Sequence, residues 1–192
     1  MLDFPLPGIS LLFLHAFRIK SPILPILSYL HSHMKDTTQN DFEKCIAFLN
    51  NIGIKTSFRA LDDSSFLPGL EIENGNIIID TNLLQHPGDV LHEAGHIAVV
   101  SQKDRTHLTA NALINRKNRE AEEVMAIAWS FAACMHLDID PTYVFHETGY
   151  RGGSNDIIDS CNKNEYVGTL MLQSLGMGSK DSDIHQMIRW LR

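Results

Sequence analysis

The chain has 192 residues, 44% of them hydrophobic and 20% charged, which suits one compact domain with its own core and excludes a largely disordered chain. Its formal net charge of -7 argues against a nucleic-acid phosphate backbone as the main partner, and the basic cluster Arg116, Lys117 and Arg119 is short and lies beside a glutamate-rich stretch. Three cysteines, Cys45, Cys134 and Cys161, are too few and too scattered for a disulfide framework or a thiolate zinc site, which fits a reducing cytoplasm.

In the first 33 residues, apolar runs over 9–17 and 23–30 are broken by Pro5, Pro7, Pro22 and Pro25, and neither run can span a bilayer, so no stable membrane insertion is expected. Asp3 precedes the first run while Arg18 and Lys20 follow it, the reverse of a secretory signal. Residues 1–33 are therefore expected to be an accessory segment or a start-site overcall, and residues 34–192 a single domain. Residues 41–51 read as an amphipathic helix with Phe42, Cys45, Ile46 and Leu49 on one face, closed by Asn51 and Gly53. A short strand is expected over 54–58, a turn at Leu67-Pro68-Gly69 and a second strand over 70–72. Asn74-Gly75 is a hairpin turn, and the β-branched run Ile77-Ile78-Ile79 marks a third strand over 76–80.

After that strand, Pro87-Gly88-Asp89 reads as a turn and a capping residue, opening an apolar helix through Val100 that contains His92-Glu93-Ala94-Gly95-His96. At 3.6 residues per turn, His92 and His96 share one helical face, where two neutral imidazoles can bind one tetrahedral zinc ion. Glu93 projects beside them and can accept a proton from a water activated by the metal. Two histidines and a glutamate in so apolar a helix would be costly to bury unless something binds them.

A second long helix is expected over 119–136, rich in alanine and free of glycine and proline, with Pro141 preventing its continuation. Beyond it the chain reads as more loop-like, with a glycine-rich turn over 149–154 and another helix over 166–175. A catalytic zinc has three protein ligands, so one must be found outside the motif. The metzincin spacing is excluded, because Val99 and Gln102 stand where it requires glycine and histidine. His107, in a polar loop, is the weaker candidate. The better one lies in Glu120-Ala121-Glu122-Glu123, the gluzincin arrangement, in which a glutamate of a downstream helix closes the triad. Glu123 is preferred because Ile127 and Phe131 continue its face at four-residue steps, with Glu120 and Glu122 as rivals.

The run Asp89-Val90-Leu91-His92-Glu93-Ala94-Gly95-His96, followed by a helix reading Glu123-Val124-Met125-Ala126-Ile127-Ala128, resembles the zincin-type ImmA/IrrE metallopeptidases of bacteria over residues 42–135. The resemblance implies an α+β zincin-like metallopeptidase domain, a small sheet packed on the motif helix and a second ligand-bearing helix. It implies zinc held by His92, His96 and Glu123, with Glu93 as general base and a peptide or protein as substrate. Two features depart from the family's pattern. Ile127-Ala128-Trp129 and Met135-His136-Leu137 replace its aromatic-alanine pair and leucine-methionine-proline run, and no helix-turn-helix domain accompanies the peptidase.

His146 and Tyr150, in or near the glycine-rich turn, are candidate donors to a tetrahedral oxyanion. Other polar residues have plainer expected roles. Asp138 and Asp140 flank a helix end as caps or solvated charges, His86 serves the turn before Pro87, His185 lies at the surface, and His31 and His33 belong to the N-terminal segment. Trp129 and Met125 are expected in the core. Two other functions fit the same motif: hydrolysis of a small amide, or a regulatory or toxin-associated binding module whose zinc is not catalytic.

Overall fold

The isoleucine run Ile77-Ile78-Ile79 forms the middle of a three-stranded sheet in the computed structural model, which describes residues 23–62, 67–180 and 186–192, with side chains from residue 36 onward. The calls on His31, His33 and His185, and on residues 1–22, lie outside these described residues or side chains. The chain divides into two units, Met1–Asp36 and Thr37–Arg192. Of the first, residues 23–36 are helical.

In the second unit, β1 (Thr56–Phe58), β2 (Leu70–Glu73) and β3 (Asn76–Ile79) lie in the order β1-β3-β2. β1 runs parallel to β3 and β2 antiparallel to it, so the sheet is mixed. The expected hairpin joins β2 to β3: Asn74 and Gly75 have φ of 51° and 71°, and Glu73 pairs with Asn76. Ile77, Ile78 and Ile79 are all buried because β3 is flanked by strands and packs against α2 (Asp89–Val99).

The helix α1 runs Ile23–Ile52, far longer than the 41–51 read from the sequence, and Pro25 does not stop it. Its place in the first turn explains why, since backbone N–H groups there have no intrahelical partner to lose. Phe42, Cys45 and Leu49 are buried as expected, Ile46 is only half-buried, and Phe48 joins the buried face.

α5 (Arg119–Leu137) is the central helix, buried all round from Met125 to Cys134. α2 packs on one part of its surface and α7 (Val167–Ser174) on another. Gly95 makes the first contact close: a Cβ there would lie 2.8 Å from the Ala126 carbonyl oxygen. Gly168 does the same for α7, where a Cβ would lie 2.2 Å from the Val124 oxygen. The small sheet packed against α2, with α5 on the same helix, makes an α+β architecture of the zincin-like kind.

Between α2 and α5 the chain makes two short helices, α3 (Gln102–Arg105) and α4 (Ala110–Ile114), whose first turns are capped by Ser101 and Thr109. The segment past α5 is more helical than expected, because Ser154–Asn162 forms α6, burying Cys161 with Ile157 and Ile158 packed against the core. Asp138, in the left-handed conformation at φ 54°, ends α5, and Asp140 accepts from the Thr142 N–H at 2.8 Å. Both therefore act as caps.

Candidate metal centre

α2 begins one residue earlier than a cap at Asp89 would place it: Gly88 is the N-cap and Asp89 the first helical residue. Glycine is needed at Gly88 because a Cβ there would overlap the Tyr143 carbonyl. Asp89, freed from capping, turns its carboxylate to His146 at 3.4 Å, and the His146 ring stacks on His86 with centroids 3.7 Å apart. The His86 carbonyl accepts from the Asp89 N–H, so His86 also serves the turn.

One turn on, the motif residues come together as helical geometry requires. The Nε2 atoms of His92 and His96 are 3.2 Å apart. Glu123 reaches across from α5, with Oε1 3.5 Å from His92 Nε2 and Oε2 3.3 Å from His96 Nε2. Among the described residues, His92, His96 and Glu123 form the one such group of ligand atoms close enough to hold a single metal ion.

The spacing tests whether zinc fits. For bonds of about 2.0–2.1 Å, a regular tetrahedron has edges of about 3.3–3.4 Å. The two imidazole nitrogens, 3.2 Å apart, lie close to that edge, and each has one oxygen of the Glu123 carboxylate at 3.5 or 3.3 Å. Chemistry agrees with geometry. Burial pushes both imidazoles down to a pKa of about 4, so each is neutral at pH 7 and has a lone pair for a cation. These residues therefore form a His-His-Glu cluster capable of chelating zinc.

Glu93 lies in the same crevice, a cavity of about 240 Å³ walled by His92, His96 and Glu123 and by the apolar Leu67, Leu113 and Ile114. It is only 7% exposed. Burial raises its carboxyl to a pKa of about 8, and the nearby Asp89 and Glu123 carboxylates add to the rise. A carboxyl so tuned is a base poised near neutrality, and a cation in the cluster would restore its ionised form.

The rival glutamates have other places. Glu122 is buried and forms a bidentate pair with Arg116, at 2.6 Å to Nε and 2.8 Å to Nη2. Glu120 is exposed and lines the neighbouring cavity. His107 is exposed as well, in the short connection after α3.

Tyr150 stands edge-on to the His92 ring, with centroids 5.5 Å apart and planes at 90°. Its phenol is held in the neutral form by burial and by Asp89, Glu123 and Glu93. The contact helps orient a ring whose Nδ1 is buried and has no hydrogen-bond partner among the described residues. His146 is less central: its Nδ1 lies 3.0 Å from the Thr148 hydroxyl and its Nε2 faces Asp89, and it lines neither this crevice nor the larger cavity beside it.

Sequence reading missed Arg119, which lines both cavities, and Arg116, which claims Glu122. Their signal was the basic cluster at 116–119, weighed only against nucleic acid although it opens the same helix as the glutamates. Trp129 and Met125 are in the core, as expected.

No model of a known protein family, no curated protein and no solved structure matches the chain.

Proposed function

We propose that the chain is a zinc-dependent metallopeptidase of the gluzincin type, with His92, His96 and Glu123 as the zinc ligands and Glu93 as general base. The observation that carries this reading is the convergence of two imidazole nitrogens and the Glu123 carboxylate, at 3.2–3.5 Å, beside a buried carboxyl that is not one of the three ligand groups. The ImmA/IrrE resemblance, with the bacterial origin and cytoplasmic location it suggests, belongs to the same proposal. No helix among the described residues is long and apolar enough to cross a membrane.

Bound zinc would supply Lewis acidity, acidifying a water and polarising the scissile carbonyl. Glu93 takes the proton from that water and returns it to the leaving amine. The apolar walls from Leu113 and Ile114 limit solvent around this transfer. Of the two candidate oxyanion donors, Tyr150 is better placed, since it faces His92 and lines the larger cavity, whereas His146 is committed to Asp89 and Thr148.

A peptide suits the site better than a small amide, because the crevice shares Arg119 and Glu123 with a cavity of about 960 Å³. A non-catalytic zinc would leave the burial of Glu93 without a use.

The test is zinc stoichiometry by elemental mass spectrometry, with peptide hydrolysis measured on the same samples. Wild type is expected to hold one zinc and to cut peptides. Glu93→Gln should keep the metal and lose about 10²–10⁴-fold in turnover, while Glu123→Ala loses both. Wild type that takes up no zinc after reconstitution would overturn the proposal.

A further inference from the structure

The two cavities that meet at Arg119 and Glu123 differ in character. The smaller has Arg119 as its one basic side chain, beside Glu122 and the apolar Leu67, Leu113 and Ile114, whereas Arg116, Lys117, Arg119 and Arg151 all line the larger. This is a local inversion of sign in a chain of net charge -7. Arg116 is neutralised by Glu122 and Asp104. Lys117, Arg119 and Arg151 have no carboxylate within ion-pair distance among the described residues. Two carboxylates share the cavity, but Glu123 is turned to the imidazoles and Glu120 alone cannot balance three cations.

Two of these cations are placed at a cost. Arg119 lines the smaller cavity together with His92 and His96, where its charge opposes the binding of a metal cation. Arg151 follows Tyr150 in a turn where both have left-handed φ, 56° and 51°, a conformation costing about 1 kcal/mol or more per non-glycine residue. That turn sets Tyr150 against His92 and puts Arg151 in the cavity wall. An anion entering with the substrate would offset both costs, and guanidinium pairs with carboxylate in a bidentate geometry.

We propose that the larger cavity is a carboxylate subsite, with Arg119 and Arg151 as principal contacts and Lys117 in support. The substrates are then peptides with an acidic side chain or a free terminal carboxylate close to the scissile bond. This inference rests on the peptidase reading for its substrate class, but its test does not depend on hydrolysis.

Zinc-loaded Glu93→Gln protein is titrated with capped, neutral hexapeptides, with versions carrying Glu at each position in turn, and with the neutral peptide bearing a free terminal carboxylate. At least one acidic peptide is expected to bind about tenfold more tightly than its neutral parent, with the gap narrowing as salt rises from about 50 to about 300 mM. Whether a Glu peptide or the free terminus gains the affinity tells which source of carboxylate the site takes. Adding Arg119→Gln and Arg151→Gln together should shrink the preference at least about fivefold, with zinc content unchanged. Lys117→Gln, at an exposed position, should weaken it in the same direction and serves if the double variant does not fold.

Equal binding of neutral and acidic peptides, no binding of any, or a preference untouched by these variants would overturn the subsite. A wild type that keeps the preference and the zinc yet hydrolyses none of the peptides would instead overturn the peptidase reading and leave the anion site standing.

Discussion

Glu122 and Glu123 are neighbours on one helical turn and face different partners. Glu122 is buried against Arg116 as a fork-on-fork pair, and Glu123 extends to two imidazoles. Replacing Glu122 with Gln would weaken a largely desolvated ion pair. The expected loss is about 1–3 kcal/mol of unfolding free energy, read by urea denaturation, with zinc stoichiometry unchanged. Loss of zinc in Glu122→Gln, together with its retention in Glu123→Ala, would exchange the two roles. The four-residue steps from Glu123 to Ile127 and Phe131 pointed to the right face, yet all three glutamates stayed open at the level of sequence. What separates them is the position of Arg116, six residues from Glu122 and brought back to it by the turn before α5.

At the scale of elements, the approach of α2 to α5 sets how far Glu123 must reach. Gly95, inside the motif, lets Ala126 come close, and Ala126 lies one turn beyond Glu123. Buried Ser130 joins the same two helices, bonding the Ala126 carbonyl at 2.7 Å and the Leu91 carbonyl at 3.3 Å. Gly95→Ala sets two effects against each other: alanine is better than glycine inside a helix by about 1 kcal/mol, and overpacking a tight contact costs about 1–3 kcal/mol. The added methyl would meet backbone, which cannot swing aside, so destabilisation is expected to win and zinc affinity to fall about tenfold or more. Denaturation with a parallel zinc titration checks this, and a more stable variant with unchanged affinity would refute the close-contact argument. α6 escaped sequence reading for another reason. Its apolar positions, Ile157, Ile158 and Cys161, fill only one turn beside a glycine-rich segment, too short for periodicity to stand out.

At the scale of the second unit, residues 186–192 tie the two site helices together, meeting α5 near its middle and α2 near its end. The Trp190 ring packs edge-on to Phe48 and Trp129 at 4.8 and 5.4 Å, and its carbonyl accepts from Trp129 Nε1 at 2.9 Å. The Arg192 N–H bonds the Ala98 carbonyl near the end of α2, where Arg105 also donates to the Ile97 and Val100 carbonyls and to that of Arg192. A cation at a helix C-terminus also complements the helix dipole. Trp190→Ala is expected to cost about 2–3 kcal/mol, scaled down from a fully buried tryptophan, and to lower the thermal midpoint. Zinc stoichiometry of the folded protein should not change, since no ligand is touched. A midpoint within a degree of wild type would mean that this segment carries none of the stability assigned to it.

The sequence by itself determined the two imidazoles and the carboxyl beside them. All three lie on one helix, and the helical period places them whatever surrounds it. The hairpin at Asn74-Gly75 and the buried isoleucine strand were legible for the same reason, being set by local backbone preference and pattern. Only the tertiary structure decided which glutamate stands opposite the imidazoles and which is claimed by Arg116. It also decided that the basic cluster leading into α5 and Arg151, more than thirty residues apart, share one cavity wall. Those outcomes depend on how closely two helices approach and where a strained turn places its side chains, and both are properties of packing between segments distant along the chain.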